Sequence, residues 1–293
     1  MLFFTKDFLE DRRMGGRITA LLAALLVIAM PTHAPLGATA WDIHPTPLTR
    51  MNEAGVGLSV PSLVYVLENS SDQELRYWSA LALAQLEDRK AIPHLISATG
   101  DANKFARLGA AVALGHFRAP ESTQALRTLA AEDPEYATRK AAVISLGKIR
   151  NADAALGLIQ TANNEQEPDD IRYQAIATLG EFADRAAMTK LLPLARSTNP
   201  NLRAAARLSM SKRGVPVEIK DLIVSTTDSE VNVVTALGLV QHLEEMSGQR
   251  FLNADDVDEV EAARRRVSLW WTESTGAQDV NQGPRARLRP ALE

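Results

Sequence analysis

Between Leu58 and His242 apolar residues recur every three or four positions, the spacing that gives a helix one buried face. In one stretch Phe105, Leu108, Ala111, Val112 and Leu114 fall together on such a face. Breakers interrupt the pattern at Ala119-Pro120, at Asn151 to Asp153 and at Gly214 to Pro216, so short helices joined by turns are predicted. The pattern also repeats. Arg76, Arg107, Arg139, Arg172 and Arg203 are 31, 32, 33 and 31 residues apart. Seven positions after each stands Leu83, Leu114, Leu146, Leu179 or Met210. One position later come the small residues Ala84, Gly115, Gly147, Gly180 and Ser211. At a nineteen-residue offset there is always a leucine: Leu95, Leu126, Leu158, Leu191 and Leu222. A leading half-copy contains Leu63, and a degenerate sixth copy is read through Asn232, Leu239 and Val240.

Each unit therefore reads as two helices, one bearing the arginine and one bearing the offset leucine. Pro61 and Pro93 fall in first turns, where a missing N–H costs little. Glycine inside a helix costs about 1 kcal/mol relative to alanine. A small residue at the same offset in five units implies that a neighbouring helix approaches closely there. One such pair cannot bury its apolar face alone, whereas stacked pairs share a continuous core.

The segments Phe-Ala-Arg-Leu-Gly-Ala-Ala-Val-Ala-Leu-Gly (105–115) and Ile-Arg-Tyr-Gln-Ala-Ile-Ala-Thr-Leu-Gly (171–180) resemble HEAT repeats, in the short bacterial form known from phycobilin lyases. The resemblance implies an all-α fold: a right-handed α-solenoid of about six helix pairs over 58–242, closed by a C-terminal helical cap over 243–273. It also implies an aspartate six residues before the arginine, forming a hydrogen-bonded ladder along the stack. Asp101 and Asp133 fit, while Ser70, Gln166 and Ser197 stand in the other units, so an incomplete ladder is expected.

The ends depart from the repeat. Arg12, Arg13 and Arg17 precede an apolar run from Ile18 to Met30 that Pro31 ends. Thirteen residues suit a signal-peptide core and fall short of the roughly 20 that span a membrane. Ala38, Thr39 and Ala40 offer a cleavage site before Trp41, and Met14 offers an alternative start. The expectation is a signal peptide over 1–40, a periplasmic or secreted mature chain, and no stable membrane span in it. Residues 41–57, with Pro45, Pro47, Gly55 and Gly57, read as an extended lead-in. Near the other end Gly248 stops a helix and Asn253 reads as the N-cap of the next, which runs to about Thr272. Asp255, Asp256, Asp258 and Glu259 at its start and Arg264 to Arg266 further along suit the helix dipole. Residues 274–293, rich in Gly, Pro, Gln and Arg, read as a disordered tail.

Composition narrows the function classes. The first 40 residues hold four of the 32 basic and three of the 36 acidic residues, leaving the remainder at −5. That mild, mixed balance lacks the basic stripe of a nucleic-acid binder, and no nucleic-acid partner is expected. The chain has no cysteine, which excludes disulfides, thiolate metal sites and cysteine nucleophiles. None of His33, His44, His94, His116 and His242 is followed by glutamate, so the His-Glu pairs of di-iron HEAT-repeat hydroxylases are missing. The acidic run 255–261 lacks the spacing of a calcium loop. No cofactor, metal or catalytic residue is predicted.

What remains is a surface. His116, Lys148, Glu181 and Lys212 stand nine positions after their arginines, with Gln85 and Gln241 in the flanking units. Tyr77, Trp78, Lys140, Tyr173 and Gln174 stand one or two positions after theirs. The resemblance places this helix on the concave face, where the two rows would form a polar ridge with aromatic anchors for a protein or peptide partner. The function expected is a non-catalytic scaffold for protein–protein interaction in the cell envelope. The alternatives are an enzyme subunit of the bilin-lyase type and a purely structural spacer.

Overall fold

A computed structural model describes residues 46–253 and 259–276. The signal peptide expected over 1–40, residues 41–45, the proposed N-cap contact of Asn253 with the segment after it, and the tail from 277 onward lie outside those residues. Among the described residues there are fourteen α-helices and no strand. The chain divides into two compact units, Met1–Ser145 and Leu146–Glu293.

The first unit contains α1 (Pro47–Glu53), α2 (Val60–Asn69), α3 (Gln73–Gln85), α4 (Ile92–Ala98), α5 (Lys104–Phe117) and α6 (Thr123–Glu132). It ends inside α7 (Tyr136–Ile149). The second unit continues with α8 (Ala152–Asn163), α9 (Asp169–Phe182), α10 (Arg185–Met188), α11 (Pro200–Lys212), α12 (Ile219–Thr227), α13 (Val233–Ser247) and α14 (Glu259–Thr275). The arginine-bearing helices α3 and α5 pack on each other in the first unit, as α9, α11 and α13 do in the second. Sequence sets the helix starts: Asp72, Asn103, Asn199 and Asn232 each cap a free N–H of the first turn with a side-chain oxygen. All ten residues at the seven- and nineteen-residue offsets are at most 1% exposed. Each such side chain stabilises the stack by about 1.5–3 kcal/mol.

The small residue eight positions after the arginine faces a small residue six positions after the next arginine. Gly115 lies against Ser145, Gly147 against Thr178 and Gly180 against Ser209. The serines also bond across the joint: Ser145 Oγ donates to Ala111 O at 2.8 Å and Ser209 Oγ to Ile176 O at 3.2 Å. The close approach expected of the glycines is thus also a polar joint.

The ladder is arranged differently from the expectation. Arg107 donates to the backbone carbonyl of Asp101, six residues earlier, at 2.9 Å. Its guanidinium meets the carboxylate of Asp133, in the next repeat, at 2.6 Å and 3.3 Å. Arg76 reaches Asp101 in the same way, and Arg203 reaches Asp228 at 3.0 Å. The bond to buried Asp133 raises the Arg107 pKa further above its already high ordinary value. Each aspartate also holds its own loop, Asp101 accepting from Asn103 N at 2.7 Å and Asp133 from Glu135 N at 2.8 Å. One carboxylate therefore stitches two repeats. Arg172 has no such partner in the following loop; it meets Ala162 O at 3.1 Å and Asp169 at 3.3 Å.

Three expectations are corrected. The lead-in 41–57 is not extended throughout, because residues 47–53 form α1. Thr46 caps Thr49 N at 3.2 Å, Pro47 occupies the first turn, and Met51 is 0% exposed. The sixth repeat is in register one turn later than the reading through Asn232, Leu239 and Val240. In earlier repeats the N-cap precedes the key apolar residue by eleven positions, as Asn103 does Leu114. Counted from the N-cap Asn232, that residue is Leu243, and Ala236 takes the arginine's place. The helical region thus continues past 242, through Ser247, where Gly248 at φ 70° ends α13. The cap begins after it: α14 buries Ala263, Val267 and Trp271 against Leu239, Val240 and Leu243. Arg264 fastens it, donating to Val231 O at 2.6 Å.

Candidate interaction surface

In the row nine positions after the arginines, His116 and Glu181 make inter-repeat contacts. In the first unit His116 Nε2 lies 3.8 Å from Glu87 Oε1, and the imidazole stands edge-on to Phe117. In the second unit Glu181 pairs with Arg150 Nη2 at 3.3 Å, and both side chains are largely exposed. Glu87 and Arg150 occur eleven positions after Arg76 and Arg139, so each cross-joint pair matches offset eleven with offset nine of the following repeat. Those partners were not singled out from the sequence, although the charged residues Glu87, Arg118 and Arg150 at one offset were a signal. All three hold left-handed backbone, with φ of 56°, 47° and 58°. Lys148, Glu181 and Lys212 are exposed on α7, α9 and α11. In the corrected register the last member of the row is Glu245, not Gln241; its carboxylate lies 3.5 Å from His242.

In the second row the two aromatic residues of the first unit are consumed by packing, while Lys140, Tyr173 and Gln174 are half-buried. Tyr77 is 5% and Trp78 9% exposed, so neither presents an open aromatic face. The helix α1 packs on α3, with the Arg50 guanidinium 5.9 Å from the centre of the Trp78 ring. Burial pushes the Tyr77 phenol up to about 12. Tyr173 is half-buried: Thr235, 62 residues later, donates its hydroxyl to the Tyr173 oxygen at 2.9 Å, a bond that spans from α9 to α13 past α11. Small Ala204 and Ala205 stand at the corresponding positions of α11. Gln174 bonds Thr178 Oγ1 at 3.2 Å along its own helix. Lys140 lies over the Tyr136 ring, 5.6 Å from its centre, and bonds the phenol oxygen at 3.3 Å.

Among the described residues no group of three or more His, Asp or Glu side chains is placed to hold a metal ion. Among the same residues no helix is long and apolar enough to cross a membrane. The arrangement offers charged and polar side chains on consecutive, rigidly packed helices.

No curated protein matches the chain. Among solved structures, the chain is similar to a component of the complex of CpcE and CpcF of phycocyanin lyase from Nostoc sp. PCC7120. The identity is 19%, the TM-score 0.43, and the match covers 72% of this chain and 95% of that one. The family model for HEAT repeats matches over residues 60–147, 113–169 and 155–239, which is more than half of the 293 residues. The recurring Arg, Leu and Gly positions, the helix pairs they build and this match agree: the chain belongs to the HEAT-repeat family.

Proposed function

We propose that this HEAT-repeat chain is a non-catalytic scaffold that holds another protein along its arginine-bearing helices. The observation that carries the reading is the exposed row Lys148, Glu181 and Lys212, at one register on successive helices of the second unit. Long side chains held at fixed spacing by a stacked core suit recognition by shape and charge. The aromatic anchors expected beside them, Tyr77 and Trp78, belong to the core instead. In this reading the polar row itself makes the contact.

A photoreactive amino acid placed at 181 in the intact chain tests the reading in living cells. The expected result is one discrete crosslinked protein, identified by mass spectrometry and lost when Lys148 and Lys212 are both changed to Glu. A diffuse ladder that ignores those changes would overturn it.

The place of action we propose is outside the cytoplasm. The order of Arg12, Arg13 and Arg17, the apolar run 18–30 and Ala38-Thr39-Ala40 supports this. Cell fractionation with N-terminal sequencing should find a mature chain beginning at Trp41 in the exported fraction. An intact leader on cytoplasmic protein would refute export.

A further inference from the structure

At the joints Gly115–Ser145, Gly147–Thr178 and Gly180–Ser209 the facing residues cannot ionise. The joint between α11 and α13 is built differently. Ser211 holds the place of the glycine, and His242 holds the place of the serine or threonine. His242 is 8% exposed, and its Nε2 lies 2.8 Å from Ser211 Oγ. A titratable group has thus been placed at the position that serine or threonine fills in the other joints. Among the described residues, the charges that act on it are Glu245 of its own helix and Lys212 of α11.

We propose that His242 is a proton sensor in this joint, and that protonation of its imidazole loosens the packing of α13 on α11. The neutral ring makes one bond, from Nε2 to Ser211, while its buried Nδ1 has no hydrogen-bond partner. A proton added to it brings a net charge into a buried contact, beside the cation of Lys212. Glu245 opposes the effect only in part, because its side chain is 73% exposed and 3.5 Å away, where water screens the attraction. Burial accordingly holds the imidazole pKa below its ordinary 6.5. The unfolded chain therefore takes up the proton first as pH falls, so the contribution of the joint is complete above about 6.5 and is lost on acidification towards the lowered folded value. The affected joint underlies Lys212 and Glu245, both members of the exposed row, so acidification acts on that surface too.

Thermal unfolding of the intact chain at pH 7.5 and 5.0 tests the proposal. The midpoint of the parent protein should fall by several degrees more than that of His242→Gln, which keeps a hydrogen-bonding side chain without a titration. Glu245→Gln should widen the parent's loss, and Lys212→Gln should narrow it. Equal losses in the parent and His242→Gln would overturn the proposal. If His242→Gln does not fold, NMR titration of the imidazole carbon signals of the parent decides. A His242 midpoint below 6.5 supports the sensor, and one at or above 6.5 refutes it.

Discussion

Gly115 lies so close to Ser145 that a Cβ built on the glycine would stand 2.6 Å from the serine Cβ and 2.9 Å from its Cα. Alanine at 115 would gain about 1 kcal/mol of helix propensity. The clash is with the serine side chain and reaches its backbone Cα, however, and overpacking of this kind costs about 1–3 kcal/mol. Gly115→Ala should therefore lower stability by about 1–2 kcal/mol in urea unfolding. Ser145→Ala should not rescue it, because the main chain of residue 145 still stands in the way. The Gly147 joint differs: there the conflict is with Thr178 Cγ2, while Thr178 Cβ would lie at an ordinary 3.5 Å. Gly147→Ala should be destabilising alone and largely restored by Thr178→Ser. Additive effects of those two changes would show that the glycine is not there to admit the threonine methyl.

The repeat could be read because its physical causes are local and periodic. An arginine that bridges to the next loop, a leucine that fills the core and a small residue at a close joint recur at fixed offsets, whatever surrounds them. The misread parts depend on a third element or on a loop of different length. Tyr77 and Trp78 stand at positions that two-helix periodicity leaves open; α5 comes close to Tyr77 at Gly109, and α1 packs on the same helix with Arg50 over the Trp78 ring. Helix α1 was itself hidden, since Pro47 reads as a breaker until Thr46 is recognised as its cap. In the sixth repeat Asp228 precedes the N-cap Asn232 by four residues, where Asp101 precedes Asn103 by two. With no arginine to anchor the count, Leu239 and Leu243, one turn apart and both buried, fit the apolar pattern equally well.

Trp78 gives a direct test of that correction. A tryptophan that anchors a partner can be truncated without harm to the fold, whereas this one is packed beneath α1. Trp78→Ala should cost about 3–5 kcal/mol of stability and release α1, seen as faster amide exchange over 47–53. Tyr77, whose phenol pKa is raised to about 12 by burial, should resist ionisation until the chain unfolds in alkali. Its absorbance change should coincide with loss of helical circular dichroism. Ionisation near 10 with the helices intact would mean that the ring is open to water.

Arg207 stands four positions after Arg203, where the other repeats bury Ala80, Ala111, Val143 and Ile176. Its neighbour explains the exchange. After α10 the chain continues only as two single 3-10 turns, Thr189–Leu191 and Leu194–Arg196, on either side of Pro193. Backbone carbonyls that a continuous helix would satisfy are left over. Arg207 donates to Ala195 O at 3.1 Å, and on the other side to Asp221 O at 3.1 Å and Ser225 Oγ at 3.0 Å. Burial lowers its pKa, with Asp221 opposing the shift, yet an arginine stays charged at any working pH. Arg207→Met keeps the bulk but removes the donor to Ala195 O, and a buried acceptor left unpaired costs about 1–3 kcal/mol; Asp221 O and Ser225 Oγ keep their mutual bond at 2.8 Å. Arg207→Lys should recover little, because one ammonium cannot span the three directions of the guanidinium. Equal stability of the Lys variant and the parent, in chemical unfolding, would show that charge alone matters there.

Arg118 ends α5 in left-handed backbone with φ of 47°, a conformation that costs a residue with a Cβ about 1–2 kcal/mol. Gly214 occupies the same offset after Arg203, with φ of 70°, and nothing lies within 4 Å of the position a Cβ would take. The turn therefore asks for glycine, and Arg118 is exposed. Arg118→Gly should raise stability by about 0.5–1 kcal/mol, the relief of strain outweighing the greater freedom of glycine in the unfolded chain. Arg150→Gly relieves the same kind of strain but removes the pair with Glu181, whose exposed geometry is worth about 0–1 kcal/mol. Its net effect should be smaller than that of Arg118→Gly. Urea midpoints of the two variants give the order directly, and a loss of stability in Arg118→Gly would mean that its side chain contributes more than the backbone strain it imposes.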